Sequence, residues 1–597
     1  MYCFVCIVKI GFTSTAQFNN LEEIMPGDMR VCDFLLHSLH KEGVEYLFGV
    51  TGKTITPIFD ATYNYPIKPI FACHEAGASY MAFGYAQASR KIGVCCGASS
   101  SGGLNIMPGV AAAWMSSVPM IVITGQVPTT DFGKGAFQDA TDRSQSIGRS
   151  VDLINMFGSI TKASKQILNV QKAPDTIRNA IKLAMSGRQG PVHLSIPLDI
   201  NLAKINSEVW QKHFSFPINQ QLCDENSLQQ VIALINQAKK PVFLLGWGGV
   251  FSRANVELLR LAEKLNIPIA TTPDGKGGIP SNHELCLGIM GLCGHDIARE
   301  YIFEKSDLVM AIGTTFNEFS TLNWDSKIAS NKKLIQIDID YEEIGKNYPV
   351  DIGLVGDAKT ILKQLLQLSS KTNLGPKDFK KMSTARWDLE RYCHPEEMLN
   401  NSLPLKPQLV MRELRDSTPD ETIFLGDSGS HWGWVTHNIP IYKGGKFFPI
   451  LGLGSMGTAI CSSMGIKLVE SDVPVICVCG DGCFQMSGSE ISTAAKHKIP
   501  VIWIIMNDGC YNMPLFGIKN MYGRGMETCI LCVSDFVKFA NSFGIKGYCV
   551  EKPGELTKIM PEVLALKEPV VIDVHTDPSV VAPVGRRLKY NPNEACQ

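Results

Sequence analysis

Two apolar runs rich in β-branched residues constrain the fold of this chain more than any other feature. VPVICVC precedes Gly480 and IPVIWIIM precedes Asn507, and runs of this kind predict strands that are buried on both faces of a parallel sheet. Between them, Ser487 followed by Glu490 fits the capping box that starts a helix. A strand, a helix and a second parallel strand form a right-handed crossover unit. The segment therefore predicts an α/β fold.

Polar residues follow both predicted strands directly. If the strands are neighbours, Asp481 and Asn507 emerge side by side at the carboxyl edge of the sheet, where open α/β sheets bind ligands. Mg²⁺ prefers oxygen ligands and keeps coordination positions for phosphate oxygens. The Asp481 carboxylate, the Asn507 amide oxygen and the backbone carbonyl of Gly509 would make such a metal site for a diphosphate. The alternative is that GDG is only a turn after a strand, because Gly and Asp are ordinary turn residues.

Two separate segments resemble one enzyme family. The GDG sequence, the crossover and the following Asn are similar to the metal and diphosphate signature of the thiamine diphosphate enzymes. Residues 66–127 resemble the pyrimidine-binding domain of the acetolactate synthases, and the similarity to the acetolactate synthase large subunit extends over nearly the whole chain from Met29 onward. The resemblance implies an α/β protein of three doubly wound domains with mostly parallel sheets.

Changes in composition divide the chain into blocks. Three blocks alternate apolar strands with helical stretches, and a polar segment rich in Lys, Ser and Gly separates the last two. We predict an N-terminal extension at 1–28, a pyrimidine-binding domain at 29–200, a central domain at 201–368, a linker at 369–403, a diphosphate-binding domain at 404–576 and a C-terminal tail at 577–597.

Glu75 lies between the apolar strand PIFAC and the helical stretch AGASYMAFGYAQAS. The resemblance implies that Glu75 is the activating glutamate of the family, which binds and activates the pyrimidine of thiamine diphosphate. A carboxyl group that hydrogen-bonds to a ring nitrogen favours the tautomer that can take up the thiazolium proton. The alternative is a glutamate stabilised at a helix N-terminus by the helix dipole.

Further positions in the third block match the diphosphate-binding part of the family. The piece DSGSH places Ser430 and His431 near phosphate oxygens, and the resemblance implies that Met456 is the bulky apolar residue that supports the bent cofactor. The residues around Asp481, namely Gly480, Gly482 and Cys483, complete the cofactor-binding set. The alternatives are a polar turn for DSGSH and ordinary core packing for Met456.

Two candidate residues for the reaction centre lie in GKGAFQDATD. Phe137 and Gln138 match a Phe-Gln pair of the acetolactate synthases, whereas the related decarboxylases that release free aldehydes have two histidines. A glutamine can orient groups but cannot supply a proton as imidazoles do, which favours carbon-carbon bond formation. Lys53 in the turn VTGKT departs from the family pattern, and we predict that it pairs with an anionic group of a substrate. The alternative for Lys53 is a solvated surface side chain.

Composition limits the partners of this protein. The formal net charge is −1 and charged residues make up 19% of the chain, so no basic surface for nucleic acid or anionic membranes is indicated. The 19 cysteines lack metal-type spacing and many lie in apolar runs, which is typical of a reduced cytoplasmic protein. No apolar run reaches the ~18 residues of a transmembrane helix. We expect a cytoplasmic protein with small-molecule partners and neither nucleic acid nor membrane partners.

The cofactors implied by the resemblance are thiamine diphosphate and Mg²⁺. FAD-binding acetolactate synthases resemble one another in a segment with two arginines, and MAIGTTFNEFSTLNW at the matching place has neither. Trp247 also fills a glycine turn that a dinucleotide needs open. We therefore expect no FAD.

The resemblance predicts an enzyme that decarboxylates a 2-oxo acid such as pyruvate and joins the product to a second carbonyl compound. Because Glu75 and Asp481 belong to different domains, the family arrangement implies a cofactor between two subunits of a homodimer or homotetramer. A simple 2-oxo acid decarboxylase, a carboligase for a specialised metabolite and a non-catalytic cofactor-binding relative remain alternatives. The sequence does not indicate whether a regulatory subunit binds.

Overall fold

The protein contains three α/β domains that follow one another along the chain. In each of them, six strands form one sheet in which every neighbouring pair is parallel. The predicted α/β class with three mostly parallel domains is confirmed, whereas the domain boundaries stay a prediction. The extension at 1–28 and most of the tail at 577–597 lie outside the described residues. The computed structural model describes residues 29–142, 149–206, 222–372, 374–442 and 444–584.

The sheet of the first domain has the strand order β3-β2-β4-β5-β7-β6. Its strands are β2 (Tyr46–Gly49), β3 (Lys68–Phe71), β4 (Gly93–Gly97), β5 (Met120–Gln126), β6 (Ala163–Gln166) and β7 (Pro191–Pro197), and the short strands β1 (Met29–Arg30) and β8 (Lys204–Ile205) pair separately. Its helices are α1 (Val31–Lys41), α2 (Thr56–Ala61), α3 (Glu75–Ser89), α4 (Ser99–Met115), α5 (Leu153–Gly158), α6 (Ala173–Met185) and α7 (Leu198–Leu202).

The sheet of the middle domain has the order β11-β10-β9-β12-β13-β14. The strands are β9 (Pro241–Leu245), β10 (Ile269–Thr271), β11 (Cys286–Ile289), β12 (Leu308–Ile312), β13 (Lys333–Asp338) and β14 (Ile352–Val355). The helices are α8 (Glu225–Gln237), α9 (Trp247–Phe251), α10 (Asn255–Leu265), α11 (Asp296–Glu300), α12 (Glu318–Thr321) and α13 (Ala358–Lys371).

The sheet of the third domain has the order β16-β15-β17-β18-β20-β19. The strands are β15 (Ile423–Gly426), β16 (Lys446–Phe447), β17 (Val475–Gly480), β18 (Val501–Asn507), β19 (Lys546–Val550) and β20 (Val570–His575). The helices are α14 (Pro407–Asp416), α15 (Ser430–Asn438), α16 (Thr458–Val469), α17 (Asp481–Ser487), α18 (Ile491–His497), α19 (Asn512–Met521), α20 (Phe536–Ser542) and α21 (Glu555–Leu566). The strands predicted from the two apolar runs are therefore neighbours, with Gly480 opposite Met506.

Successive strand residues pack into different cores, as expected for sheets covered by helices on both faces. In β17, Val475 and Cys477 pack into one core while Ile476 and Val478 pack into another. This explains why the sequence shows a continuous apolar run rather than an alternating pattern. None of the helices in the described part of the chain is long and apolar enough to cross a membrane.

Helices α3 and α16 join the first domain to the third through glycine contacts. A Cβ atom at Gly84 would overlap the backbone of Ser462, and a Cβ atom at Gly465 would overlap the carbonyl oxygen of Met81. The two helix backbones therefore touch directly, because neither glycine carries a side chain. This contact fixes the position of the two domains relative to each other.

The predicted capping box at Ser487 and Glu490 does not form. Helix α17 already contains Ser487, and its start at Asp481 follows the strand immediately. The buried Glu490 carboxylate instead accepts hydrogen bonds from the backbone N–H groups of Cys73 (2.8 Å) and His74 (3.2 Å) in the first domain. A tertiary contact thus takes the place of the local cap, and it supports the loop that precedes Glu75.

We predict that Gly465→Ala destabilises the protein by about 1–3 kcal/mol, because the added methyl group meets backbone atoms that cannot move aside. The free energy of urea unfolding measures the effect. Gly517→Ala is the matched control, since Gly517 also lies in a helix but has open space around the Cβ position. Equal stability of the Gly465→Ala variant and the wild type would contradict the close helix contact.

Candidate functional site

A cleft with an empty volume of about 590 Å³ lies at the carboxyl edge of the third sheet. The segments that follow β15, β17, β18 and β20 line it. Seven predicted cofactor-binding residues are among the lining residues: Ser430, His431, Met456, Gly480, Asp481, Gly482 and Cys483. The structure thus brings together residues from distant parts of the sequence, because parallel strands end at the same edge.

Three helices point their N-termini at this cleft. Helix α15 begins at Ser430, α17 begins at Asp481 and α19 begins at Asn512, and all three residues line the cleft. The first backbone N–H groups of a helix have no partner within the helix, and the helix dipole adds positive potential there. The arrangement is therefore suited to binding an anion such as a phosphate group.

Two buried aspartates supply the carboxyl groups of the cleft. Asp481 is 4% exposed, and its carboxylate accepts N–H bonds from Gly482 and Gly509, both at 2.8 Å. Burial raises the pKa of Asp481 to about 7, and the charge of Asp508 adds to the increase. Burial likewise raises the pKa of Asp508. Two carboxyl groups that disfavour each other's ionisation form a binding site for a cation.

The structure corrects the predicted role of Asn507. Its side chain lies on the other face of the sheet, where Nδ2 donates a hydrogen bond to Asp573 Oδ1 (3.0 Å). Successive strand residues point to opposite faces, so the next residue, Asp508, turns toward the cleft and toward Asp481. Asp508 replaces Asn507 in the candidate metal site.

The predicted role of the Gly509 carbonyl is corrected as well. The Gly509 N–H group points at Asp481, while the Gly509 carbonyl accepts a hydrogen bond from the Leu531 N–H (2.8 Å). The turn has a φ of +73° at Gly509, a conformation that favours glycine. Gly509 therefore positions the Asp481 carboxylate and does not offer its own oxygen to a metal.

The residues of the cleft fit a magnesium diphosphate group. No Lys or Arg occurs among the described residues that line it. Two anions, the aspartate pair and a diphosphate, would repel each other there unless a divalent cation lay between them. The helix N-termini suit the phosphate oxygens, and the Asp481 and Asp508 carboxylates suit the cation.

Ser430 and His431 form one wall of the cleft. The Ser430 hydroxyl donates to the Asn512 side-chain oxygen (3.3 Å). The His431 ring packs against Gly480, where a Cβ atom would come within 2.9 Å of the ring, and burial lowers its pKa to about 3. His431 is therefore a neutral imidazole near pH 7, which can donate one hydrogen bond without bringing a positive charge.

A second group of predicted residues assembles around helix α4 in the first domain. Asn105 Nδ2 donates to Glu75 Oε2 (3.1 Å), and Gln138 Nε2 donates to Ser101 Oγ (2.9 Å). Ser101 and Asn105 are four residues apart on one face of the helix, so they hold Glu75 and Gln138 near each other. Gln138 adopts a φ of +62°, which is uncommon for a residue with a side chain and is typical of functional sites.

The remaining two predicted residues are exposed at the same edge of the first sheet. Phe137 is 88% exposed, and Lys53 is exposed in the loop after β2. Neither of them lines the cleft of the third domain, and the same is true of Glu75 and Gln138. Within one chain, the two groups of predicted residues therefore stay apart.

Family comparisons match all three domains. Residues 29–146 match the model described as thiamine pyrophosphate enzyme, N-terminal TPP binding domain. Residues 228–365 match the central domain and residues 427–574 match the C-terminal TPP binding domain of the same enzymes. The chain belongs to the thiamine pyrophosphate enzyme family. The Glu75 group lies in the segment that matches the N-terminal TPP binding domain, and the Asp481 group lies in the segment that matches the C-terminal TPP binding domain.

Curated relatives cover nearly the full chain. A probable acetolactate synthase large subunit of Methanococcus aeolicus is 35% identical over 586 residues, which covers 94% of either chain. A probable acetolactate synthase large subunit of Methanocaldococcus jannaschii is 34% identical, with 93% of each chain covered. The acetolactate synthase large subunit of Haemophilus influenzae is 30% identical, with 92% of this chain and 94% of the relative covered.

Sequence reasoning missed four residues of this thiamine pyrophosphate enzyme site. Asp508, Tyr511 and Asn512 line the cleft, and Asn105 holds Glu75. The signal for Asp508 was its carboxylate immediately after Asn507, but the uninterrupted apolar run before them shows no alternation that would assign either residue to a face. Asn105 gave no signal, since a polar residue in an apolar helix has several ordinary explanations.

We predict that the metal-free protein loses stability as the pH rises, and that Asp481→Asn reduces this loss. The folded protein holds a proton on Asp481 up to about pH 7, whereas the ordinary value is 3.8. Unfolding thus releases a proton between these values, so stability falls from about pH 4 to pH 7, by roughly 4 kcal/mol. The free energy of unfolding, measured in EDTA at pH 5 and at pH 8, gives the size of this loss.

The exposed Asp378 provides the control, as Asp378→Asn should leave the pH dependence of unfolding unchanged. An Asp481→Asn variant with the full pH dependence of the wild type would contradict the assignment.

Proposed function

We propose that this protein uses thiamine diphosphate and Mg²⁺ to decarboxylate a 2-oxo acid and to join the product to a second carbonyl compound, as an acetolactate synthase does. The names of relatives that cover over nine tenths of the chain support the activity. The observation that carries the cofactor assignment is the cleft in which three helix N-termini meet two buried carboxyl groups. When bound, thiamine diphosphate supplies the carbon nucleophile that attacks the 2-oxo acid.

The third domain would hold the diphosphate end of the cofactor. Asp481 and Asp508 are the proposed Mg²⁺ ligands. His431 and Ser430, whose hydroxyl would rotate away from Asn512, are the proposed hydrogen-bond donors to phosphate oxygens. Met456 is the proposed apolar support for the cofactor rings, because it is partly buried against the core and also lines the cleft. Gly480, Gly482 and Cys483 bring the start of α17 close to the diphosphate.

The first domain would supply the proton chemistry. Glu75 Oε2 accepts the Asn105 N–H bond, so we assign the proton that Glu75 offers to the pyrimidine to Oε1. A Cβ atom at Gly102 would lie 3.2 Å from Oε1, so the glycine leaves this oxygen accessible. Asn105 acts as a positioning residue that fixes which carboxyl oxygen faces the cofactor.

Gln138, Phe137 and Lys53 would surround the substrate. The Gln138 amide, held by Ser101, orients polar groups but has no proton to give near pH 7. Because Gln138 is not a proton donor, release of a free aldehyde would be disfavoured at this position, which favours bond formation over simple decarboxylation. Phe137 and Lys53 are the proposed apolar and cationic contacts of the substrate.

We propose that two copies of the chain complete each site, in a homodimer or a homotetramer. Glu75 does not line the cleft of its own chain, and the α3–α16 contact holds the two domains in this arrangement. The Glu75 group of one copy would then face the Asp481 cleft of the other. This symmetric pairing gives two equivalent sites in a dimer.

The absence of FAD stays a prediction. In the middle domain, a Cβ atom at Gly246 would overlap the Gly313 carbonyl oxygen, and the Trp247 ring packs against the Arg90 guanidinium of the first domain, 4.9 Å from the ring centre. The turn after β9 is thus occupied by contacts within the protein. A cytoplasmic location also remains a proposal.

We predict that Glu75→Gln and Asp481→Ala each lower kcat at least about 100-fold, and that co-expression of the two restores activity. A mixed dimer has one site that combines the intact Glu75 of one copy with the intact Asp481 of the other. Random pairing thus gives about a quarter of the wild-type activity. The rates of CO₂ release from pyruvate and of acetolactate formation measure the activity of the co-expressed mixture.

Glu42→Gln, a change at an exposed residue, is the control. Alone, this variant should keep full activity. When it is co-expressed with Asp481→Ala, the activity should be only that expected from the fraction of Glu42→Gln subunits in the mixture. No recovery in the Glu75→Gln and Asp481→Ala mixture would contradict the shared site. CO₂ release with only free aldehyde as the product would instead favour the simple decarboxylase.

A further inference from the structure

Four side chains of the types that bind metals lie on one face of the third sheet, away from the cleft. Strand β19 carries Cys549 opposite Asp573 of β20. Because the side chains of a strand alternate, Glu551 and His575, two residues further along each chain, point to the same face. The strand register therefore places a thiol, an imidazole and two carboxyl groups together at the end of the edge strand.

The four groups are close enough to share one ion. His575 Nε2 lies 4.0 Å from Cys549 Sγ and 3.6 Å from Asp573 Oδ2, and His575 Nδ1 lies 3.4 Å from Glu551 Oε1. Ligand atoms of Cys549, Glu551 and His575 all lie within 4.8 Å of one another. Bonds of about 2.0–2.3 Å to a tetrahedral zinc ion separate ligand atoms by roughly 3.3–3.8 Å. With His575 binding through Nε2, the exposed Glu551 side chain has to rotate from the Nδ1 side to the Nε2 side, and small movements of the other groups then close the site.

We propose that Cys549, Glu551 and His575, with Asp573 as the fourth group, bind a divalent transition metal, most suitably Zn²⁺. A thiolate and an imidazole are ligands that Zn²⁺ accepts and that Mg²⁺ avoids. Three of the side chains are exposed and can adjust to the ion. The site is separate from the proposed Mg²⁺ site, whose ligands are carboxylates only.

Asp573 is the fixed member of this site. It is 3% exposed, and its Oδ1 accepts the hydrogen bond from Asn507 Nδ2 (3.0 Å), which leaves Oδ2 on the side of His575. A buried carboxylate held in this way is an oriented ligand, as hydrogen bonds to metal-binding carboxylates commonly provide. The contact also gives Asn507 a position in the wall of this site rather than in the cleft.

Co²⁺ is the spectroscopic probe for the proposal, because a Co²⁺–thiolate bond gives a charge-transfer band that Mg²⁺ sites do not show. The full-length protein is first saturated with Mg²⁺ and thiamine diphosphate, which fills the cleft. Co²⁺ is then added, and Zn²⁺ is used to displace it. We expect one equivalent of Co²⁺ to give the band and Zn²⁺ to remove it.

Cys549→Ser should abolish the charge-transfer band, and His575→Ala should weaken Zn²⁺ binding by about tenfold or more. Cys532→Ser is the matched control, since Cys532 is also an exposed cysteine of the third domain but lies outside the cluster. This control should bind like the wild type. An unchanged band in Cys549→Ser, or no band in the wild type, would overturn the proposal.

Discussion

The charge of a diphosphate, facing a cleft whose described residues include neither Lys nor Arg, is the constraint on which the proposed site depends. The described lining of the cleft offers three helix N-termini and two aspartates, Asp481 and Asp508, but neither Lys nor Arg. The helix N-termini favour phosphate oxygens, whereas the aspartates favour a cation. The divalent cation that we propose between the two anions would reconcile these preferences. The parallel sheet is what makes the arrangement possible, because it brings all these chain segments to one edge.

The relative position of the first and third domains follows from a close helix contact and from a buried carboxylate that binds a loop. Gly84 and Gly465 let helices α3 and α16 touch, and Glu490 holds the loop before Glu75 through two backbone N–H groups. These contacts place the Glu75 group and the Asp481 cleft of one chain apart from each other. The incomplete site in a single chain is therefore a consequence of how the helices pack, and it is the physical reason for proposing that two copies act together.

The sequence was sufficient to predict the fold and the edge at which the site lies, but not the face on which each side chain lies. Continuous apolar runs correctly indicated neighbouring parallel strands. Asn507 was assigned to the wrong face because a shift of one residue reverses every side chain of a strand, and local sequence does not fix that register. The predicted capping role of Glu490 was wrong for another reason. Its carboxylate accepts a hydrogen bond from the backbone of Cys73, which lies far away in the sequence. Asn105 could not be found at all, because its role exists only through its contact with Glu75.

Calorimetric titration of thiamine diphosphate into the full-length protein, with Mg²⁺ and separately with EDTA, tests the central claim most directly. At pH 8, above the pKa of Asp481, we expect the affinity to fall more than about tenfold in EDTA, a loss of over ~1.4 kcal/mol, because the aspartate pair then repels the diphosphate. Equal affinity under the two conditions would contradict the account, since the diphosphate would then bind to the cleft without a cation between it and the two carboxylates.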